Sequence, residues 1–238
     1  MKIGIIVAMD KELRQLQQLF DNDRVLVQKC GIGKVNAALG AQRMINEFHP
    51  DCIISSGCAG GNGDDIQVQD IVVSTELAYH DVYCGTAIDN STLYGQVQGL
   101  PARFPADPYL LRKSEELIVK SEEFAAAVPS GEGMAAANSS LFTLHSSLKT
   151  GLIVTGDWFV DTKEKMREII AHFPEARAVD MESAAIAHTC YINKVPFISF
   201  RVISDVPLRD TNASQYHNFW DTVADRSFQT TRTFVESL

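Results

Sequence analysis

The chain has 238 residues, 45% hydrophobic and 21% charged, enough apolar material for a packed core without disulfide or metal staples. Its formal net charge of −9 and the lack of any basic cluster argue against a nucleic-acid partner, and no apolar run approaches the roughly 18 residues of a membrane span. The five scattered cysteines show neither CxxC nor Cys/His metal spacing and read as reduced thiols of a cytoplasmic protein.

In chain order, residues 2–9 are almost all apolar, as in a strand covered on both faces, and lack a signal-peptide cleavage pattern. Asp10 can cap a following helix in which Leu13, Leu16 and Phe20 recur at helical spacing. "RVLVQKC" (24–30) predicts a second strand. "GIGKVNAALGAQRMINEF" (31–48) turns at its glycines and becomes a helix that offers Val35, Ala38, Leu39, Ala41 and Ile45 for packing. "CIISSGCAGG" (52–61) reads as a buried strand running into a glycine-rich turn, and "DIVVS" (70–74) as another strand. Residues 80–106 are aromatic and rich in turn formers; an irregular stretch of this length usually covers a pocket or a partner. Residues 128–150, small and polar, carry no assignment. "GLIVTGD" (151–157) repeats the strand-then-glycine theme, and "EARAVD" (175–180) leads into a helix from Met181. "PFISFRVISD" (196–205) is a strand closing on Ser204 and Asp205, and 215–238 reads as a final helix. Strands alternating with helices predict an α/β fold with a mostly parallel sheet. Without a linker, charge block or repeat, residues 1–238 read as a single domain.

Ligands of open parallel sheets bind beyond the carboxyl ends of the strands. Acids fall at three such ends: Glu12 after the first strand, Asp180 and Glu182 after 175–179, and Asp205 at the end of 196–203. Each has an ordinary structural reading as well. Glu12 can complement a helix dipole, Asp205 can sit in a turn or cap, and Asp180 is best read as the N-cap of the helix that follows. Glu182 is harder to place, because "AVDMESAAIAHTC" (178–190) holds no Lys or Arg and a buried carboxylate needs hydrogen bonds. "GCAGG" (57–61) permits close backbone approach to a ligand. It lacks the GxGxxG spacing and the P-loop lysine, so neither a dinucleotide nor a nucleoside triphosphate is indicated. No HExxH or GxSxG pattern is present.

Together "GIIVAMDKE", "GIGKVNAA", "SSGCAGG", "YHD", "YGQVQGLPARFPAD", "GLIVTGDWF", "FPEARAVDMESAAIAH" and "VPFISFRVISD" resemble the 5'-methylthioadenosine/S-adenosylhomocysteine nucleosidases of the purine nucleoside phosphorylase/hydrolase superfamily. The similarity runs in order from residue 1 to about 225. It implies a three-layer α/β/α sandwich with a mixed, mostly parallel central sheet, a homodimer, and hydrolysis of the N-glycosidic bond of purine nucleosides with water as nucleophile and no cofactor or metal. Such an activity belongs to nucleoside catabolism and methionine salvage. Carried over by position, Glu12 matches the general base that activates water, and Asp205 the residue that protonates purine N7. Glu182 matches the carboxylate on the ribose hydroxyls, Met181 the residue under the sugar, and Phe159 the ring stacked on adenine. Val160 matches a backbone reader of the base edge, Arg201 an arginine near the ribose carboxylate, and Tyr216 an aromatic lid residue if one insertion is allowed. Cys58, Ala59 and Gly60 of the glycine turn, Ile32 of "GIGK", and Ser204 complete the candidate substrate contacts.

The chemistry suits these roles. Loss of adenine builds positive charge on the ribose, which a carboxylate stabilises, and the leaving base needs a proton. Asp205 is thus expected to titrate well above the reference of about 3.9 through desolvation, and Glu12, at a helix N-terminus, to favour its ionised form. Departures from the family pattern are Cys58 for a serine, "DME" for "EME", a shorter 20–31 segment at the sheet edge, and a longer 82–93 loop near the 5' substituent and the partner subunit. A purine nucleoside phosphorylase is the nearest alternative. It needs an arginine fork for phosphate, whereas the first helix offers Arg14 close to a repelling Glu12. A nucleosidase for another adenosine derivative, such as aminodeoxyfutalosine, would differ in the loop. A nucleoside-binding or storage protein would not need all three acids.

Overall fold

A computed structural model describes residues 1–85, 92–127, 148–209, 219 and 228–238. In chain order the elements are β1 (Ile3–Val7), α1 (Asp10–Gln17), β2 (Val25–Lys29), α2 (Lys34–Phe48), β3 (Cys52–Gly61), β4 (Ile71–Tyr79), β5 (Phe104–Pro105), α3 (Pro108–Ala127), β6 (Leu148–Thr155), α4 (Lys163–His172), β7 (Ala176–Asp180), α5 (Ser183–Asn193), β8 (Phe197–Asp205) and α6 (Gln229–Glu236). Helices α3 and α4, unassigned from the sequence, start on local capping signals. Asp107 Oδ1 accepts from Tyr109 N and Leu110 N beside Pro108, and the Thr162 hydroxyl accepts from Lys165 N. The expected helix over 215–238 is α6 where it is described.

The sheet is mixed, and its directions are sorted. β2, β1, β3 and β8 run parallel to one another, as do β4, β6 and β7. The two sets oppose each other along two seams, β4 against β8 and β3 against β7. The β3–β7 seam is short, Gly60 with Val179 and Gly61 with Ala178. It lies at the carboxyl ends of both strands, so the two parallel sets meet tip to tip. Five strands close a ring, β3–β8–β4–β6–β7, with β1 and β2 extending it on one side and β5 on the other. The shortened 20–31 segment still provides an edge strand, since β2 pairs with β1 along its whole length.

Alternation along the strands sends side chains to layers on both faces. Ile6 and Ile53 pack with Ala37, Ala41 and Met44 of α2 and with Ala184 to Ala187 of α5. Their neighbours Ile5 and Ile54 pack with Leu16, Leu110 and Phe234 of α1, α3 and α6. Met166 and Ile169 of α4 cover Leu152 and Val154. Helix α6 is also tied by a Thr231–Ser56 hydroxyl pair at 3.0 Å and by Phe234 against Phe200, ring centroids 4.7 Å apart.

Two expectations are corrected. In α2 the side against the sheet is the small one, Ala37, Gly40, Ala41 and Met44; Val35 and Leu39 are 70% and 63% exposed. Small residues let the helix approach the strands closely, which turns the larger aliphatics outward. The glycines of "GCAGG" form no turn; they continue β3 to Gly61. Their role is close packing. A Cβ at Gly57 would strike the Arg201 guanidinium and lie 2.7 Å from Glu12 Oε1, and one at Gly61 would lie 2.6 Å from Ile66 and 2.8 Å from Ile203.

Candidate active site

Where the strand tips meet there is a cleft. Glu12, Glu182 and Asp205 all line it, although they come from opposed strand sets. Cys58, Ala59, Gly60, Ser204 and Ile32 line it from one set, and Phe159, Val160 and Met181 from the other. The sequence reading missed Ala8, Met9, Trp158 and Val179 as lining residues; Asp180, placed at a strand end but read as a cap, lines the cleft as well. The four missed residues lie within a few residues of a named one, so proximity to a strand end was the signal available. Arg201 lies behind the cleft lining, close enough to act on Glu182 through space. Tyr216 lies outside the described residues.

Glu12 is reached from α1. The chain leaves β1 extended at Met9, and Glu12, three residues on, folds back onto the helix start. Its Oε2 accepts from Ala8 N and Met9 N, both at 2.9 Å, and its Oε1 from Cys58 N at 3.1 Å. The residue is 2% exposed. Burial raises its carboxyl above the ordinary range, opposed by Arg201 and by the backbone donors. The expected simple bias towards ionisation is therefore corrected: desolvation outweighs the helix terminus.

Glu182 follows β7 and occupies the N-cap position of α5 without capping it. Gly33 N donates to its Oε1 at 3.0 Å. Burial and the neighbouring Asp180 push it up to about 7, against the pull of Arg201 and Gly33. Asp180, expected at the N-cap, is instead the last residue of β7. It still serves the helix start, its two oxygens accepting from Ser183 N at 3.3 and 3.2 Å. Asp180 also accepts from the Thr155 hydroxyl, which in turn accepts from Ala184 N.

Arg201 answers the missing cation of segment 178–190. It lies on β8, buried behind the cleft, with Nε 2.6 Å from Asp180 Oδ2 and 3.0 Å from Ser183 Oγ, and with one terminal nitrogen 2.7 Å from Ser55 Oγ. One guanidinium thus serves Asp180 directly and Glu12 and Glu182 through space.

Asp205 ends β8 opposite Gly60, at a register shift between Ala59 and Gly60. It accepts from Ser204 Oγ at 2.7 Å. Burial raises its carboxyl to about 6, and the Ser204 bond lowers it only in part. This agrees with the expectation for an acid. Phe159 is 55% exposed and lines the cleft.

Residues 2–238 match the family model of the phosphorylase superfamily. A nucleosidase of Exiguobacterium sp., named for 5'-methylthioadenosine and S-adenosylhomocysteine, is 36% identical over 95% of this chain and 94% of its own. This chain belongs to the 5'-methylthioadenosine/S-adenosylhomocysteine nucleosidase family. Solved structures agree on the fold. The Neisseria meningitidis nucleosidase in complex with methylthio-immucillin-A superposes with a TM-score of 0.82 at 33% identity, covering 100% of this chain and 99% of that one. The Colwellia psychrerythraea nucleosidase, in complex with adenine, gives 0.81 at 31% identity, covering 100% and 96%. The expected nucleoside phosphorylase-like sandwich with a mixed sheet is the observed one.

Proposed function

We propose that this chain hydrolyses the N-glycosidic bond of 5'-methylthioadenosine and S-adenosylhomocysteine, releasing adenine and the thioribose. The carrying observation is that Glu12, Glu182 and Asp205 line one cleft. In this reading the base lies against Phe159 and Val160, and the sugar over Met181 with its hydroxyls on Glu182. Glu12 takes a proton from the attacking water while Asp205, which retains its proton up to about pH 6, delivers one to N7. Glu182 and Glu12 stabilise the positive charge that grows on the ribose. Cys58, Ala59, Gly60, Ile32 and Ser204 shape the walls. As the described lining residues include no lysine or arginine, and Arg201 is engaged by Asp180, water is favoured over phosphate as nucleophile.

The family match over 2–238 supports one catalytic domain. A row of exposed apolar residues supports a homodimer: Ile32, Val35 and Leu39 stand on or before α2, and Tyr191 and Ile192 on α5. The two helices are joined by Gln42 and Asn193, and exposed apolar residues on neighbouring helices are of the kind that a partner covers. The five cysteines are free, which suits the cytoplasm, and no described helix is long and apolar enough to cross a membrane.

The deciding experiment incubates the protein with methylthioadenosine in phosphate-free buffer and follows adenine and sugar products. Free adenine and methylthioribose are expected; strict dependence on added phosphate would turn the assignment to phosphorolysis.

A further inference from the structure

Lys34 of "GIGK" does not line the cleft, yet it ties together two segments that do, through Ile32 and through Trp158 to Val160, and joins both to the residues after β4. Its Nζ is 2.7 Å from both carboxylate oxygens of Asp81 and 3.7 Å from Asp157 Oδ2. Its backbone N–H donates to Asp157 Oδ1 at 2.8 Å, and Asp157 N donates to Asp81 Oδ2 at 2.8 Å. The start of α2, the residues after β4 and the residues after β6 are therefore closed around one ammonium group. The Lys34 and Asp81 side chains are only 23% and 9% exposed, unlike the solvated surface pairs that contribute little.

Helix α2 depends on this arrangement. It has no acid in its first turn, and its N-cap is Gly33 at φ 92°, with no side chain to cap it. Asp157, from a different layer, supplies the acceptor that the helix start lacks. A Cβ at residue 33 would lie 2.9 Å from Asp157 Oδ1, so glycine is required for both the φ value and the approach.

Two walls of the cleft hang from these contacts. Gly33 donates to Glu182, and Asp157 is followed directly by Trp158, Phe159 and Val160 on the base side. We propose that Lys34, Asp81 and Asp157 form a positioning triad that fixes the separation between the sugar carboxylate and the base-stacking wall, and thereby sets affinity for the nucleoside. This rests on the functional reading above. None of the three lines the cleft, so no group that meets the reacting atoms is lost with them and their removal falls mainly on ground-state binding.

The test is steady-state kinetics of Lys34→Met, Asp81→Asn and the double variant with methylthioadenosine, beside thermal unfolding of each. Each single variant is expected to raise KM about tenfold or more, with kcat within about threefold. The double variant should be no worse than the poorer single, because both remove one coupled contact. Lys34→Arg, which keeps the charge, should return KM to within about threefold of wild type. An unmoved KM in Lys34→Met, additive effects in the double variant, or activity lost only in step with unfolding would each overturn the triad. A wild type that releases no adenine removes the functional reading and the triad together; an active wild type with unmoved KM in the variants removes the triad alone.

Discussion

The two ends of the cleft treat their acids differently. Around Glu12 and Glu182 there are donors: three backbone N–H groups on Glu12, one on Glu182, and the Arg201 guanidinium behind both. At the other end Asp205 has burial and one hydroxyl, Ser204. Desolvation raises all three carboxyls, so the ends differ in what opposes it. Backbone donors and a fixed cation oppose it at Glu12 and Glu182, and a lone hydroxyl opposes it at Asp205.

Removing the acid breaks this contrast most strongly. Asp205→Asn is expected to lower kcat by ~10²–10⁴ while KM stays within about tenfold; adenine-release kinetics measure it, and an unchanged kcat would take Asp205 out of the reaction. The cation comes next. Arg201→Met strands Asp180 and leaves Glu12 and Glu182 uncompensated, and breaking a buried pair costs ~3–5 kcal/mol. Urea unfolding at neutral pH should show a loss of that size, and a loss below about 1 kcal/mol would mean that the carboxylates do not depend on Arg201.

The contrast also has a pH signature. In the free protein Asp205 titrates at about 6, so kcat/KM should decline as pH rises past that value, and a flat profile up to pH 9 would contradict its role as acid. For stability the sign follows from a raised folded value. The neutral Asp205 favours the fold fully below its unfolded value near 3.8, and this contribution is lost as pH rises through about 6. Asp205→Asn should therefore unfold at a higher temperature than wild type at pH 7, by an amount equivalent to ~1–3 kcal/mol; equal or lower stability would show that burial does not burden the ionised form. The smallest effect is expected at Cys58, whose N–H rather than its thiol meets Glu12. Cys58→Ser should change kcat/KM less than about threefold, and a larger change would give the thiol a role of its own.

Much of this was legible in the sequence because strand ends are legible. Apolar runs ending on Asp205 or Asp180, and a helix starting two residues before Glu12, place these acids at the tips without any tertiary knowledge. What stayed hidden was long-range. No local pattern says that the cation for 178–190 is Arg201, nor that β3 and β7 oppose each other so that acids from opposed sets can converge; a purely parallel sheet would have carried them on one edge. The glycines of β3 look like a turn because glycine favours turns, and only the positions of Arg201 and Glu12 explain why Gly57 sits in a strand. In α2, large aliphatics appeared the natural choice for the core, but a helix held close to a sheet by Ala37 and Gly40 turns Val35 and Leu39 outward.

The hydroxyl pair between Thr231 and Ser56 spans 175 residues, and Ser56 immediately precedes Gly57 and Cys58, which pack against Glu12 and donate to it. During synthesis the strand beneath Glu12 therefore emerges long before the helix that braces it. Contacts so distant along the chain form slowly, so the brace that α6 gives this strand is one of the last to be made.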